Sequence, residues 1–228
     1  MQGRFSRVSG SNTAPAWSAG LAPGPRPARA DPLPAGRTRQ RLASPPQARR
    51  ATVEGMADPA TRADPWLPSW FRHPTRLELP SGHHLRPLRA LDLDLDLPAV
   101  RGAREHLWSC FGEAWGWPPA ELAAADDLCD LQRQEREMAE GLSFSYALLD
   151  EVESELLGCV YLDPPRGGTR DADVDVTWWV VDALRGGEVE HLLTAAVVTW
   201  VRRCWPFTRP RFVGLDISWR DWARSGEP

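Results

Sequence analysis

The chain has 228 residues, of which 42% are hydrophobic and 25% are charged, a balance typical of a globular protein. No apolar run reaches the ~18–20 residues that a membrane-spanning helix needs, so we expect a water-soluble chain without a membrane partner. The formal net charge is −4, but the first 55 residues carry nine arginines against two acidic residues, which leaves −11 for the remainder. Because the folded part is acidic, nucleic acid is not expected as a partner.

Residues 1–60 have a composition that does not favour folding. Nine prolines lie there among Gly, Ser, Ala and Arg, and few apolar side chains are present to offset the entropy of the chain. We predict either a basic, disordered Pro/Arg-rich tail or a translation start assigned too far upstream, with Met56 as the true start. The folded domain is predicted over residues 70–228.

The first part of the domain gives one strand and one ambiguous segment. His84–Arg89 alternates as a short strand, and Pro87 suggests that it lies at a sheet edge or ends there. Leu91–Leu97 alternates Leu with Asp, which fits either a half-buried strand or a turn leading into a helix. A helix is then predicted over Pro98–Trp108.

Further along, the pattern changes from helix to hairpin. Pro118 and Pro119 suit the start of a helix over Ala120–Glu140, which Gly141 ends. Ser143–Leu149 and Leu156–Leu162 alternate as two antiparallel strands joined by a polar turn. Asp173–Val181 is predicted as a third strand of the same sheet.

The clearest helix follows this third strand, because its apolar residues form one continuous face. They are Val189, Leu192, Leu193, Ala196, Val197, Trp200, Val201 and Cys204. A final strand is predicted over Phe212–Ile217, followed by a short tail with Trp219 and Trp222. The fold class is therefore α+β (mixed α/β), with a central, mostly antiparallel sheet flanked by helices.

The four cysteines include no CxxC pair and no Cys/His group at zinc spacing, so neither a disulfide framework nor a metal site is expected. Together with the absence of a visible secretory signal, this favours the reducing cytoplasm.

One junction could carry chemistry. After the third strand, Arg185, Gly186 and Gly187 turn the chain into the clearest helix, and unpaired backbone N–H groups at such a helix start favour a phosphate or pyrophosphate. The alternative is that the glycines only turn the chain and that Asp182 caps the helix.

The order of elements, together with this junction, resembles the GNAT N-acetyltransferases over roughly residues 80–217. Arg185–Glu190 is similar to the family's common loop form Arg-Gly-x-Gly-Val-Gly, and His84–Asp92 looks like its first strand. The resemblance implies a strand pair that splays to hold acetyl-CoA, and transfer of the acetyl group to a primary amine of a small molecule or peptide.

The resemblance also implies roles for individual residues. The backbone of Val180 and Val181 would face the pantetheine arm of acetyl-CoA. The loop residues Arg185, Gly186 and Gly187, with Val189, would hold its pyrophosphate. Asp175 stands where the family often has a glutamate on the fourth strand, and it is the predicted catalytic base.

Two departures from the family keep a second hypothesis open. Glu188 and Glu190 replace small loop residues, and a carboxylate beside a pyrophosphate repels it. The segment from Ser218 onward is short and holds no tyrosine, where the family often carries one that protonates the departing thiolate. The alternative is a catalytically inactive GNAT-like protein that binds a partner. The oligomeric state is open, with a homodimer as one alternative.

Overall fold

Six strands form one sheet in the order in which they occur along the chain. The computed structural model describes residues 66–168 and 170–226, so the predictions for residues 1–60 and for Met56 lie outside the described residues. The strands are β1 (Leu77–Glu78), β2 (His84–Pro87), β3 (Phe144–Leu149), β4 (Leu156–Asp163), β5 (Val174–Val180) and β6 (Pro210–Phe212). The pairs from β1 to β5 are antiparallel, and only β5 and β6 run parallel.

In the part of the chain that the structure describes, five α-helices cover the two faces of the sheet. They are α1 (Leu93–Gly102), α2 (Arg104–Trp115), α3 (Ala124–Glu140), α4 (Glu188–Cys204) and α5 (Trp219–Arg224). The crossover from β5 to β6 runs through α4, as a parallel pair requires. The predicted α+β class, with a mostly antiparallel sheet between helices, is confirmed. No helix of the described ranges is long and apolar enough to cross a bilayer.

The alternation of β5 shows how the sheet separates two apolar cores. Val174, Val176 and Val180 lie in the core that contains Leu193, Val197 and Val201 of α4. Trp179 points to the other face, into the core formed with Leu107 and Phe111 of α2 and Trp222 of α5. Successive strand residues point to opposite faces, so a seven-residue strand contributes to both cores.

One helix end and one helix face follow the predicted local rules. Gly141 ends α3 in the left-handed conformation at φ 70°, where glycine has no steric penalty. The apolar face of α4 is buried at Leu193, Val197 and Val201, whereas Val189 is half-buried and Cys204, predicted on the same face, is exposed. The predicted start of α3 at Ala120 is wrong by four residues, because the chain enters the helix only at Ala124.

The ambiguous Leu/Asp segment is a turn leading into a helix. Ala90–Asp92 form a single 3₁₀ turn, and α1 starts directly after it at Leu93. The alternation does not create a strand, because Asp92 and Asp96, four residues apart, both point inward while Leu91 is 92% exposed. The predicted helix start at Pro98 is wrong, since that proline lies inside α1.

The last predicted strand, Phe212–Ile217, is also wrong over most of its length. β6 stops at Phe212, and residues 213–217 form a turn closed by the Gly214 N–H donating to the Ile217 carbonyl oxygen at 2.8 Å. The side chain of Asp216 accepts the N–H of Phe212 at 3.0 Å, and Gly214 has φ 89°. Sequence reading also missed β1 and α5.

A buried carboxyl lies between α1 and the sheet. Asp96 is 5% exposed, and the thiol of Cys159 on β4 donates to it across 3.9 Å. Burial, and after it the negative charge of nearby Asp127, raise the pKa of Asp96 to about 8. Its charged form is therefore the unfavourable one in the folded chain.

We expect Asp96 to make the fold less stable as the pH rises. In the unfolded chain its carboxyl titrates near about 3.9, so between about pH 4 and pH 8 the folded chain keeps a proton that the unfolded chain has lost. The stabilisation is complete below this window and is lost as the pH rises through it. Asp96→Asn should therefore lose less stability than the wild type between pH 5 and pH 9, measured as the melting temperature.

The exposed Asp94 of the same helix provides the control for this experiment. Asp94→Asn should follow the wild-type profile. Parallel profiles for Asp96→Asn and the wild type would contradict a buried, protonated Asp96.

Candidate functional site

A gap opens in the sheet where β5 and β6 separate. The two strands pair over three residues only, Val174 with Pro210, Asp175 with Arg211 and Val176 with Phe212. One further bond, from the N–H of Val213 to the carbonyl oxygen of Val176 at 3.0 Å, ends the parallel pairing. Since the chain then folds back through the 213–217 turn, the rest of β5 has no strand on this side among the described residues.

The open edge of β5 presents backbone groups to this gap. Because the carbonyl of Val176 points toward β6, strand alternation turns the N–H and C=O groups of Trp178 and Val180 the same way. The N–H of Val181 donates instead to the carbonyl oxygen of Leu157 beside β4, at 2.9 Å. Of the two valines predicted to face a ligand, Val180 offers its backbone to the gap and Val181 has its N–H already bonded.

The predicted loop lies at the open end of the gap. Asp182–Leu184 form a single 3₁₀ turn, Gly186 adopts φ 69°, and Gly187 is the residue before α4. Arg185 is exposed and pairs with Asp182 at 3.3 Å, an exposed ion pair that stabilises little. The structure thus brings Arg185, Gly186 and Gly187 together at the positive end of a 17-residue helix.

A carboxylate from the first turn of α4 is bonded to the loop. The carboxylate of Glu190 accepts the backbone N–H of Gly186, and the N–H of Gly187 donates to the carbonyl oxygen of Leu184 at 3.1 Å. Val189 is half-buried, and its N–H lies in the first turn, where N–H groups lack an intrahelical partner. The alternative role predicted for Asp182, as a side-chain cap of α4, is not observed, since Gly187 holds that position without a side-chain cap.

Asp175 lies at the closed end of the gap, in a complete set of hydrogen bonds. It is 1% exposed, and the guanidinium of Arg211 donates to its two oxygens at 2.7 and 2.8 Å. The indole N–H of Trp222 and the backbone N–H of Arg166 donate at 2.7 and 2.9 Å. These contacts make Asp175 a structural ion-pair partner. The predicted role as a base stays a prediction that the geometry does not support.

The predicted site residues thus fall into two groups. Asp175 is five residues before Val180 on β5, about 17 Å at ~3.3 Å per residue, and the loop lies beyond that. Val180 and the loop residues share the open end of the gap. Asp175 instead joins β5 to β6 and α5 at the closed end.

Sequence reasoning missed a histidine near the loop. His106 on α2 is half-buried, and its ring lies 3.8 Å from the Cys110 sulfur. Burial lowers the pKa of His106 and the positive charge of Arg185 lowers it further, while Asp182 and Glu190 raise it. A neutral imidazole can accept a proton at neutral pH. Because α2 and the loop are far apart in the chain, no local sequence pattern indicates that His106 lies near Arg185.

Aromatic side chains cover the α2 and α5 side of the gap. Phe111 stacks on Trp115 at 4.7 Å between ring centroids, and Trp219 meets Phe111 edge to face at 4.9 Å. Trp179 is 1% exposed and donates its indole N–H to the hydroxyl of Tyr161 at 3.1 Å. Trp178 points to the α4 side and meets Phe212. Both tryptophans therefore flank the gap, one on each face of the sheet.

Metal binding is not indicated by the side chains at this site. Among residues 66–168 and 170–226, no group of three or more His, Cys, Asp or Glu side chains is placed to hold a metal ion.

Comparison with known proteins gives matches to solved structures only. No family model matches the chain, and no curated protein sequence matches it. The ribosomal-protein-S5-alanine acetyltransferase from Vibrio fischeri is similar at 15% identity and a TM-score of 0.43, over 55% of this chain and 66% of that one. RimJ from Mycobacterium smegmatis, in complex with CoA-disulfide, is similar at 18% identity and a TM-score of 0.42, over 57% and 61%.

A third match is an acetyltransferase from Salmonella typhimurium that modifies the N-terminal serine of a 50S ribosomal subunit protein. It has 12% identity and a TM-score of 0.46, over 66% of this chain and 83% of that one. The chain spans about two thirds or less of the first two structures. All three are acetyltransferases. At these identities and TM-scores the matches support no conclusion about the activity or substrate of this chain.

We expect Asp175→Asn to destabilise the fold by about 3 kcal/mol, because it leaves the guanidinium of Arg211 without its buried partner. Chemical denaturation measures the loss, and the exposed Asp171→Asn is the control. A double variant, Asp175→Asn with Arg211→Met, should recover part of the loss. Unchanged stability would contradict the structural role and return Asp175 to the candidate bases.

Proposed function

We propose that the chain binds acetyl-CoA in the gap beside β5 and transfers its acetyl group to a primary amine of a small molecule or peptide. The observation that carries the proposal is the unpaired backbone edge of Trp178 and Val180, which leads directly into the Arg185-Gly186-Gly187 turn at the start of α4. An extended ligand matches this arrangement when its arm bears amides that pair with the strand edge and its end bears phosphates that reach the turn.

Each part of the site has a defined task in this proposal. The backbone groups of Trp178 and Val180 pair with the amides of the arm as a neighbouring strand would. Arg185 and the N–H groups at the start of α4 hold the phosphates. The gap then positions the thioester for attack by the amine nitrogen. The amine nitrogen then forms a bond to the acyl carbon as the carbon–sulfur bond breaks, and the proton that the amine loses is balanced by the one that the sulfur gains, so that CoA leaves as the thiol.

An internal contact shows that the loop can hold an anion. The carboxylate of Glu190 already accepts the N–H of Gly186, so this N–H points where an anionic oxygen is held. A phosphate must displace this carboxylate and lie near that of Glu188. The N–H groups of the loop can therefore hold a phosphate, but the carboxylates of Glu188 and Glu190 lower the affinity.

A second candidate function rests on the same contact. If Glu190 keeps the loop occupied, the open edge of β5 remains free to add an extended peptide, and the protein is then a binding module that does not catalyse. The burial of Asp175 and the absence of a tyrosine from α5 favour this alternative.

Calorimetric titration of CoA and acetyl-CoA into the full chain separates the two candidates. We expect micromolar binding that Arg185→Ala weakens about 10-fold, which corresponds to the loss of one charge-assisted contact of about 1.4 kcal/mol. Arg203→Ala is the matched control, because Arg203 is exposed at the other end of the same helix. No heat at millimolar ligand would reject the enzyme and leave the binding module.

Removal of the internal carboxylate should improve binding. We expect Glu190→Gln to raise the affinity for CoA about 10-fold, because the variant removes a negative charge beside the phosphates and leaves only a weaker, neutral amide oxygen to accept the Gly186 N–H. Glu188→Gln removes the same charge from the same turn without that bond, so we expect a gain of only about 2- to 3-fold, the part due to charge alone. Equal gains in both variants would show that the Glu190 contact has no specific effect.

A further inference from the structure

One buried hydroxyl of β5 has no hydrogen-bond partner. Thr177 is 1% exposed, and its Oγ1 atom lacks a partner among the described residues. Most buried hydroxyls in folded proteins form a hydrogen bond, because a buried hydroxyl without a partner destabilises the fold. The sequence alone gave Thr177 no role.

The neighbours of Thr177 on the same face are fully bonded. Asp175, two residues earlier, accepts from Arg211, Trp222 and the backbone of Arg166. Trp179, two residues later, donates to Tyr161. Tyr161 is also the residue directly opposite Thr177 on β4. The missing bond is therefore local to one residue in a row of otherwise satisfied polar side chains.

The position of Thr177 matches the narrow end of the gap. Val176 is the last residue of β5 that pairs with β6, so Thr177 is the first residue beyond the parting of the two strands. Its side chain points to the face of the sheet that α2 and α5 cover, as those of Asp175 and Trp179 do.

We propose that the hydroxyl of Thr177 donates a hydrogen bond to the acyl carbonyl oxygen of a thioester seated in the gap. This inference rests on the proposed function and adds a residue that distinguishes acyl-CoA from free CoA. Free CoA carries a thiol where the thioester has its carbonyl, so it has no acceptor for this hydroxyl. The protein then prefers its substrate over its product, and the apolar surroundings strengthen the contact.

The test compares acetyl-CoA with CoA by calorimetric titration of the full chain. We expect the wild type to bind acetyl-CoA about 10-fold more tightly than CoA, the ratio that one buried hydrogen bond supports. Thr177→Val, which has nearly the same shape, should lose this preference and keep its affinity for CoA. Thr177→Ser keeps the hydroxyl and should keep the preference.

Thermal unfolding of the ligand-free variants gives an independent readout. Removal of an unsatisfied hydroxyl should leave the melting temperature of Thr177→Val unchanged or raise it by about 2–4 °C. A clear fall in the melting temperature would show that the hydroxyl has a structural partner, and this would overturn the proposal.

The binding outcomes separate the two proposals. If the wild type binds acetyl-CoA and CoA equally, or if Thr177→Val keeps the wild-type preference, the role of Thr177 is rejected while the proposed CoA site stands. If the wild type binds neither ligand, the proposed function fails, and the role of Thr177 fails with it.

Discussion

The ion pair between Asp175 and Arg211 fixes the end of the sheet on which the rest of the site depends. A buried carboxylate is tolerated only when its partners are in place, and here the partners come from β6, α5 and the backbone at Arg166. This requirement holds three distant segments against β5 at one point. Because β6 is held there and folds back directly afterwards, the sheet is closed at Asp175 and open from Trp178 onward.

The open edge of β5 and the start of α4 form one continuous surface, which favours a ligand but also holds an internal carboxylate that competes with it. Unpaired strand groups and helix N–H groups both favour a ligand, one through amide pairing and the other through negative charge. The chain places its own carboxylate from Glu190 on the loop, and this satisfies the N–H of Gly186 without any ligand. In the proposed function, the competition between the carboxylate of Glu190 and an external phosphate distinguishes a transferase from a binding module.

The two faces of β5 differ in polarity. The α4 face is apolar, with Val174, Val176 and Val180 in one core. The opposite face carries Asp175, Thr177 and Trp179 beneath aromatic side chains from α2 and α5. Charged and indole groups on that face are satisfied by internal bonds. The hydroxyl of Thr177, where the strands part, is the exception: it has no partner among the described residues, and the proposed thioester contact is assigned to it.

Local patterns were sufficient for the elements whose periodicity is strong. The face of α4, the β3–β4 hairpin and the end of α3 at Gly141 follow from side-chain spacing and from glycine's access to positive φ, both of which are properties of neighbouring residues. The sequence therefore determined the fold class and the loop at Arg185-Gly186-Gly187. It did not determine where β6 stops, that Asp175 is bonded 36 residues away by Arg211, or that His106 lies near the loop. Tertiary packing decided these features, because charge neutralisation and burial depend on groups that only the folded chain brings together.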